Sequence, residues 1–181
     1  HVELASADDL PTSTPEVFRA STDVDDLAAA GDGTGGDGAG VTVAVIDTGV
    51  ADVPAMDGAV VHQENFSAAP DDGDQYGHGT FVAGLVHEVA PGAQIVSVKL
   101  SGANGAVDVT QVLAALQWVV ANKDRYSIDV VNLSFGNDSR QRPARSPLNY
   151  AVQRVWDAGI VVVASAGNEG DAPGTITKPA D

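Results

Sequence analysis

The stretch Val41 to Val50, VTVAVIDTGV, restricts the fold of this chain more than any other. Val41 to Ile46 are mostly β-branched and apolar on both alternating faces, so a strand made from them must be covered on both sides. A carboxylate, Asp47, follows at once, and Thr48-Gly49 turns the chain there. Burying that charge is costly unless a charged or hydrogen-bonding group meets it. The stretch therefore suits a strand buried between two layers of helix, and calls for a partner for Asp47.

From Val41 onward, apolar runs alternate with helical periods, the pattern of an α/β fold: a doubly wound, mostly parallel sheet with helices on both faces. Strands are expected at Val41 to Ile46, Gln94 to Lys99, Asp129 to Phe135 and Ile160 to Ala166. One helix should begin near His78, with Val82, Leu85, Val86 and Val89 on its stripe. A second should start at the N-cap Asp108 and bury Val109, Val112, Leu113, Leu116, Val119 and Val120. A third opens with Ser146-Pro147, buries Leu148, Ala151, Val152, Val155 and Trp156, and ends at Gly159. In such sheets ligands bind beyond the carboxyl ends of the strands. Asp47, Ser134 and Asn168 all fall at or near those ends.

Residues 1–40 read differently, as an acidic, glycine-rich arm and linker. His1 to Pro15 suits an extended segment, Asp23 to Ala30 a short helix, and Gly31 to Gly40, GDGTGGDGAG, a flexible connection. Gly31, Gly33 and Gly36 spell a dinucleotide fingerprint. It precedes the first strand instead of following it, opens no helix and carries aspartates that would repel a pyrophosphate, so it is rejected. The chain opens on His1 without an initiator Met or a signal-peptide pattern, which reads as a processing or cloning boundary.

Composition narrows the partners. Twenty-five acidic against nine basic residues give a formal net charge of -16, which repels nucleic acid and anionic membrane and suits a solubility adaptation. No apolar run is long enough to span a membrane. The absence of cysteine excludes disulfides and thiolate chemistry but leaves the compartment open.

Asp47 alone would read as a turn former or helix cap. Its Asp-Thr-Gly also occurs in aspartic proteases, but that chemistry needs a second carboxylate and a mostly β fold, against the helical stripes here. His78 changes the weighing: GHGTFVAGLV places it between two glycines at the start of an apolar helix, with room around the imidazole. A carboxylate accepting the Nδ1 proton would leave Nε2 free as a general base. The pair should lie about 2.7 to 3.0 Å apart. Asn168, at the apex of the turn in IVVVASAGNEG, offers an amide donor suited to an oxyanion hole, although asparagine is also a common turn residue.

VAVIDTGV, GHGTFVAGLV, VNLSFG and VVVASAGNEG, in this order, resemble the subtilisin-like serine proteases from about Gly40 to Asp181. The resemblance implies Asp47 as orienter, His78 as general acid and base, and Asn168 as oxyanion donor. It implies a substrate-binding strand near Ser101, Gly102 and Ala103, and main-chain groups of Ser134, Phe135 and Gly136 on the substrate's other side. An extended peptide would bind between them. It also implies an extracellular protein and a cis peptide at Lys178-Pro179.

The departures are informative. The family's nucleophile lies in a GTS-containing motif after the asparagine, and no serine follows Ser165. Residues 41–181 are thus expected to be the N-terminal part of a peptidase domain, an incomplete one, whose nucleophile comes from a C-terminal segment or a second chain. Its helices should then leave apolar faces open. HEVAPGAQ lacks the insertion that holds calcium in many members, so no cofactor is expected. Asp71, Asp72, Asp74 and His78 could bind a hard cation, but the run reads as a solvated loop. Phe81 stands where the family often has a second histidine and Phe135 where it often has leucine, and both read as apolar packing choices with little effect on the chemistry. Two functions remain: a serine endopeptidase acting on peptides or proteins, and a non-catalytic peptide-binding relative.

Overall fold

The structure, a computed structural model, describes residues 3–4, 36–136, 145–170, 172 and 174–180. The expected helix at Asp23 to Ala30, most of the arm and part of the glycine linker lie outside them. Seven strands are present among the described residues: β1 (Glu3–Leu4), β2 (Thr42–Asp47), β3 (Val60–Asn65), β4 (Gln94–Lys99), β5 (Ile128–Leu133), β6 (Phe135–Gly136) and β7 (Val161–Ala164). Three α-helices join them: α1 (His78–Val89), α2 (Val109–Tyr126) and α3 (Pro147–Asp157).

The main sheet runs β3-β4-β2-β5-β7, with every neighbouring pair parallel. β2 is central and entirely buried. Its alternate residues feed two cores, as a strand apolar on both faces must. Ala44 and Ile46 join Val112, Leu116 and Val119 of α2 and Leu148 and Val155 of α3, whereas Val43 and Val45 join Ala83 of α1. The fold is therefore the doubly wound α/β arrangement. From β2 the chain passes to the edge strand β3, returns to β4 beside β2, then crosses to β5 and β7 on the other side. That reversal puts a topological switch point at the carboxyl end of β2, where Asp47 sits.

The helix starts follow local chemistry. Asp108 caps α2, its Oδ1 accepting from Thr110 N at 2.8 Å, while Gln111 Oε1 accepts from Asp108 N at 2.8 Å to complete a capping box. Ser146 Oγ accepts from Asn149 N at 3.3 Å, with Pro147 opening α3. Gly159, at φ +80°, follows the α3 terminus.

Several expectations need correction. Asp47 is the last paired residue of β2, opposite Lys99, rather than the first beyond it. The expected strand Asp129 to Phe135 divides at Ser134: β5 stays in the sheet, and β6 pairs antiparallel with β1, Glu3 opposite Gly136 and Leu4 opposite Phe135. β7 is shorter than expected. β3 went unread because four of its six residues, HQEN, are polar; as an edge strand it is held by its backbone pairing with β4.

Two helix stripes also differ. In α1 the expected Val82 and Val86 pack against the core, but the fully buried residues are His78, Gly79 and Ala83 and Leu85 is exposed, because small side chains let the helix sit close to β2. Trp156 is 58% exposed: 3.6 residues per turn carry it about 80° round from Leu148. Open apolar surface also occurs on β7, where Val161 and Val163 are exposed. The Lys178–Pro179 peptide is cis.

Candidate active site

The site is built where the β2 turn meets the start of α1. Gly77 precedes the helix at φ +101°, a conformation open to glycine, and Gly79 lets the helix approach the turn. A Cβ on Gly79 would stand 2.2 Å from the Gly49 carbonyl oxygen and 3.1 Å from Asp47 Cβ. No side chain larger than hydrogen fits there without moving the helix. The glycines flanking His78 thus have separate tasks, one conformational and one of contact.

That approach delivers His78 to Asp47. The His78 Nδ1–H donates to both Asp47 carboxylate oxygens, at 2.8 and 2.9 Å. Asp47 is fully buried and His78 is 6% exposed, so the pair is almost shielded from water. The Thr48 amide donates to Asp47 Oδ1 at 2.7 Å and helps to fix the carboxylate. Hydrogen bonding to Asp47 raises the His78 pKa above its ordinary 6.5; burial opposes this, and the negative charges of Asp47 and Asp74 add to it. With Nδ1 committed, Nε2 is the ring nitrogen left for proton transfer.

The first turn of α1 has no cap of its own, since Gly77 lacks a side chain. Its amides are met from outside. Thr48 Oγ1 accepts from Gly79 N at 2.8 Å. Asp74 Oδ2 accepts from Thr80 N at 2.9 Å and from the Thr80 hydroxyl at 2.7 Å, while Oδ1 accepts from Tyr76 N at 2.9 Å and Gly77 N at 2.8 Å. Burial alone would raise the Asp74 pKa, but hydrogen bonds led by the Thr80 hydroxyl outweigh it and hold the carboxyl below its ordinary value. Asp74 is therefore not part of a merely solvated loop. Among the described residues no group of three or more His, Cys, Asp or Glu side chains is arranged to hold a metal ion.

The remaining expected site residues surround this pair less tightly. Ser101 is buried just beyond β4, its hydroxyl donating to the Gly102 carbonyl at 3.0 Å, and Ala103 is exposed. Ser134 lies between β5 and β6, where its Oγ accepts from Asn132 Nδ2 at 2.7 Å. Phe135 is turned into the core, so it offers a visitor only its backbone. Asn168 is exposed in the bend after β7, and among the described residues no hydrogen bond joins it to Asp47 or His78.

Sequence reasoning read Thr48 only as a turn residue and Asp74 only as a carboxylate of a solvated loop, and it missed Lys99. The first two bond to backbone amides and leave no periodic trace. Lys99 did leave a signal: like Asp47, it is a charge at the end of a buried strand.

Comparisons with known proteins show the family and the fold. The model of the Subtilase family matches residues 38–181. Serine protease AprX of Bacillus subtilis (strain 168) is 32% identical over 159 residues, covering 78% of this chain and 36% of that protein. Subtilisin Savinase of Lederbergia lenta is 35% identical over 153 residues, covering 79% of this chain and 52% of its own length. A solved structure of a cold adapted subtilisin-like serine proteinase superposes with a TM-score of 0.66 at 33% identity, over 80% of this chain and 52% of that one. The chain thus spans between a third and about half the length of these relatives.

Proposed function

The chain belongs to the subtilase family, and from that premise we propose that it supplies the Asp–His half, and the oxyanion donor, of a serine endopeptidase that cleaves peptides or proteins through an acyl-enzyme. The observation that carries this reading is the His78 Nδ1–H bonded to both oxygens of a fully buried Asp47. In the proposed reaction, His78 Nε2 takes the proton of the attacking serine hydroxyl as the oxygen adds to the scissile carbonyl. Asp47 holds the imidazole in one tautomer and stabilises the imidazolium that results. His78 then protonates the leaving amine, and water repeats the sequence on the ester. Asn168 would donate its amide to the carbonyl oxygen as charge develops there.

Substrate would lie extended against Ser134 to Gly136 on one side and Ser101 to Ala103 on the other. The pairing of β1 with β6 supports this, because it means that the Phe135–Gly136 edge accepts an antiparallel strand. The serine would come from a segment outside these 181 residues, since none follows Ser165. The exposed Val161 and Val163 of β7 are surface that such a segment would cover. An extracellular location and the absence of a resident cofactor are part of the same proposal. Among the described residues, no helix is long and apolar enough to cross a membrane.

The missing serine also favours a second reading, a peptide-binding module that retains the scaffold without the chemistry. Reading the gene past the Asp181 codon and assaying the full-length product with a serine-directed covalent inhibitor separates the two. A GTS-type serine, peptidase activity and its loss on inhibitor labelling are expected. Peptide binding without turnover or labelling would leave the binding module.

A further inference from the structure

Lys99 is a fully buried lysine that the proposed chemistry does not use. It ends β4 directly opposite Asp47 of β2, and in-register parallel neighbours point to the same face, here the face covered by α1. Its stem runs beneath the β2 turn, where a Cβ on Gly49 would meet Lys99 Cδ at 3.2 Å. Its ammonium ends among oxygens of a single loop. Lys99 Nζ donates to the Asp71 carbonyl at 3.0 Å, to Gln75 Oε1 at 2.7 Å and to the Gly73 carbonyl, with the Asp71 carboxylate 3.7 Å away.

An ammonium has three protons and no acceptor, and three acceptors meet it here. A charge taken out of water is tolerated only when so compensated. The loop gains as well: residues 71–75 form no regular structure, and the Asp71 and Gly73 carbonyls and Gln75 Oε1 converge on one point, where a shared cationic donor offsets their mutual repulsion. The loop contains Asp74, which caps the first turn of α1, and α1 begins with His78.

We infer that Lys99 is a positioning residue, an internal cation that organises the 71–75 loop so that Asp74 can cap α1 and His78 can reach Asp47. This rests on the reading of His78 as general base. The measurements that test it need no peptidase activity: an inactive full-length protein would defeat that reading and leave them intact.

The test uses the full-length protein with Lys99→Met, which keeps the stem and removes the charge, and Lys99→Ala, which empties the cage. Hydrogen exchange is followed in peptides covering residues 71–81, and the His78 ring is titrated by NMR with selectively labelled histidine. In K99M, protection of the Gly77 and Thr80 amides should fall by about tenfold or more, and His78 should titrate lower than in wild type. Methylammonium chloride should restore both properties in K99A, and tetramethylammonium chloride, which has no N–H, should not. Should the Lys99 variants fail to fold, Gln75→Ala removes one cage oxygen from an exposed side chain and should reduce protection in the same peptides. Unchanged loop protection and His78 titration in folded K99M would overturn the inference, as would methylammonium and tetramethylammonium acting alike. Unchanged protection in Q75A would overturn it where K99M does not fold.

Discussion

Asp74→Ala is expected to be among the most damaging single changes outside the Asp47–His78 pair. The substitution removes an acceptor that serves three backbone amides and one hydroxyl at 2.7 to 2.9 Å. Losing an ordinary N-cap costs about 1 kcal/mol, and a hydrogen bond to an ionised group contributes about 1.5–3 kcal/mol. The four contacts share one half-buried carboxylate, and water can reach Gly77 once it is gone, so the contributions do not add. We expect a loss of about 2–3 kcal/mol at neutral pH, read from urea unfolding of the full-length protein and its variant.

The pH dependence separates this cause from simple packing. The folded-state pKa of Asp74 is depressed below the ordinary 3.8. Its contribution is therefore fully present above that value and is lost as pH falls through the folded pKa. Wild type and D74A should converge in stability on acidification while remaining well separated from pH 5 upward. The same change removes a negative charge that raises the His78 pKa, so His78 should titrate lower in D74A. A destabilisation within about 0.5 kcal/mol of zero would refute the capping account. A gap that does not narrow in acid would refute the electrostatic part.

Other expectations use the same geometry. Asp47→Asn should lower the His78 titration in an NMR pH series, because the hydrogen bond and charge that raise it are removed; an unchanged titration would mean that the pair is not formed in solution. Since the His78 pKa is raised on folding, its contribution to stability is full below 6.5 and disappears as pH rises through the folded value, so the wild-type advantage over D47N in urea unfolding should shrink across that interval. Gly79→Ala forces a methyl group against the Gly49 carbonyl and should cost about 1–3 kcal/mol in urea unfolding, with the proposed peptidase activity of the full-length protein falling at least as steeply, since the displaced helix carries His78. Trp156→Gln, at an exposed position of α3, should change stability by no more than about 0.5 kcal/mol unless another segment covers it in the full-length protein.

How legible the chain was depended on whether side chains or backbone did the work. β2, β4, α2 and α3 announce themselves through apolar periodicity because their side chains are what the core recognises. β3 does not, because an edge strand can be held by its ladder alone, and VVHQEN carries only two apolar residues. The stripe of α1 was legible only in part, through Val82 and Val86, and for a different reason. A helix pressed against a turn buries Gly79 and Ala83, residues too small to register as hydrophobic signals, and leaves Leu85 exposed. Asp47 and His78 were legible as a pair because each was odd in its own setting, a charge at a buried strand end and an imidazole between glycines. Asn168, in a bend, offered only a turn residue's ordinary profile.

One physical rule, applied twice, would have carried the sequence further. A charge at the end of a buried strand must be met by a partner. For Asp47 the partner is His78, the first residue of α1. For Lys99, one strand over and in register, the partners are carbonyl and amide oxygens of the loop that leads into α1. Two buried ions of opposite sign, side by side on the sheet, thus hold the helix start and the loop before it. Neither needs the other as a counter-ion, since the ammonium is satisfied by loop oxygens and the carboxylate by His78 Nδ1 and the Thr48 amide. The same division leaves the Asp47 carboxylate free to support a positive charge on His78, which a direct Lys99–Asp47 ion pair would have weakened.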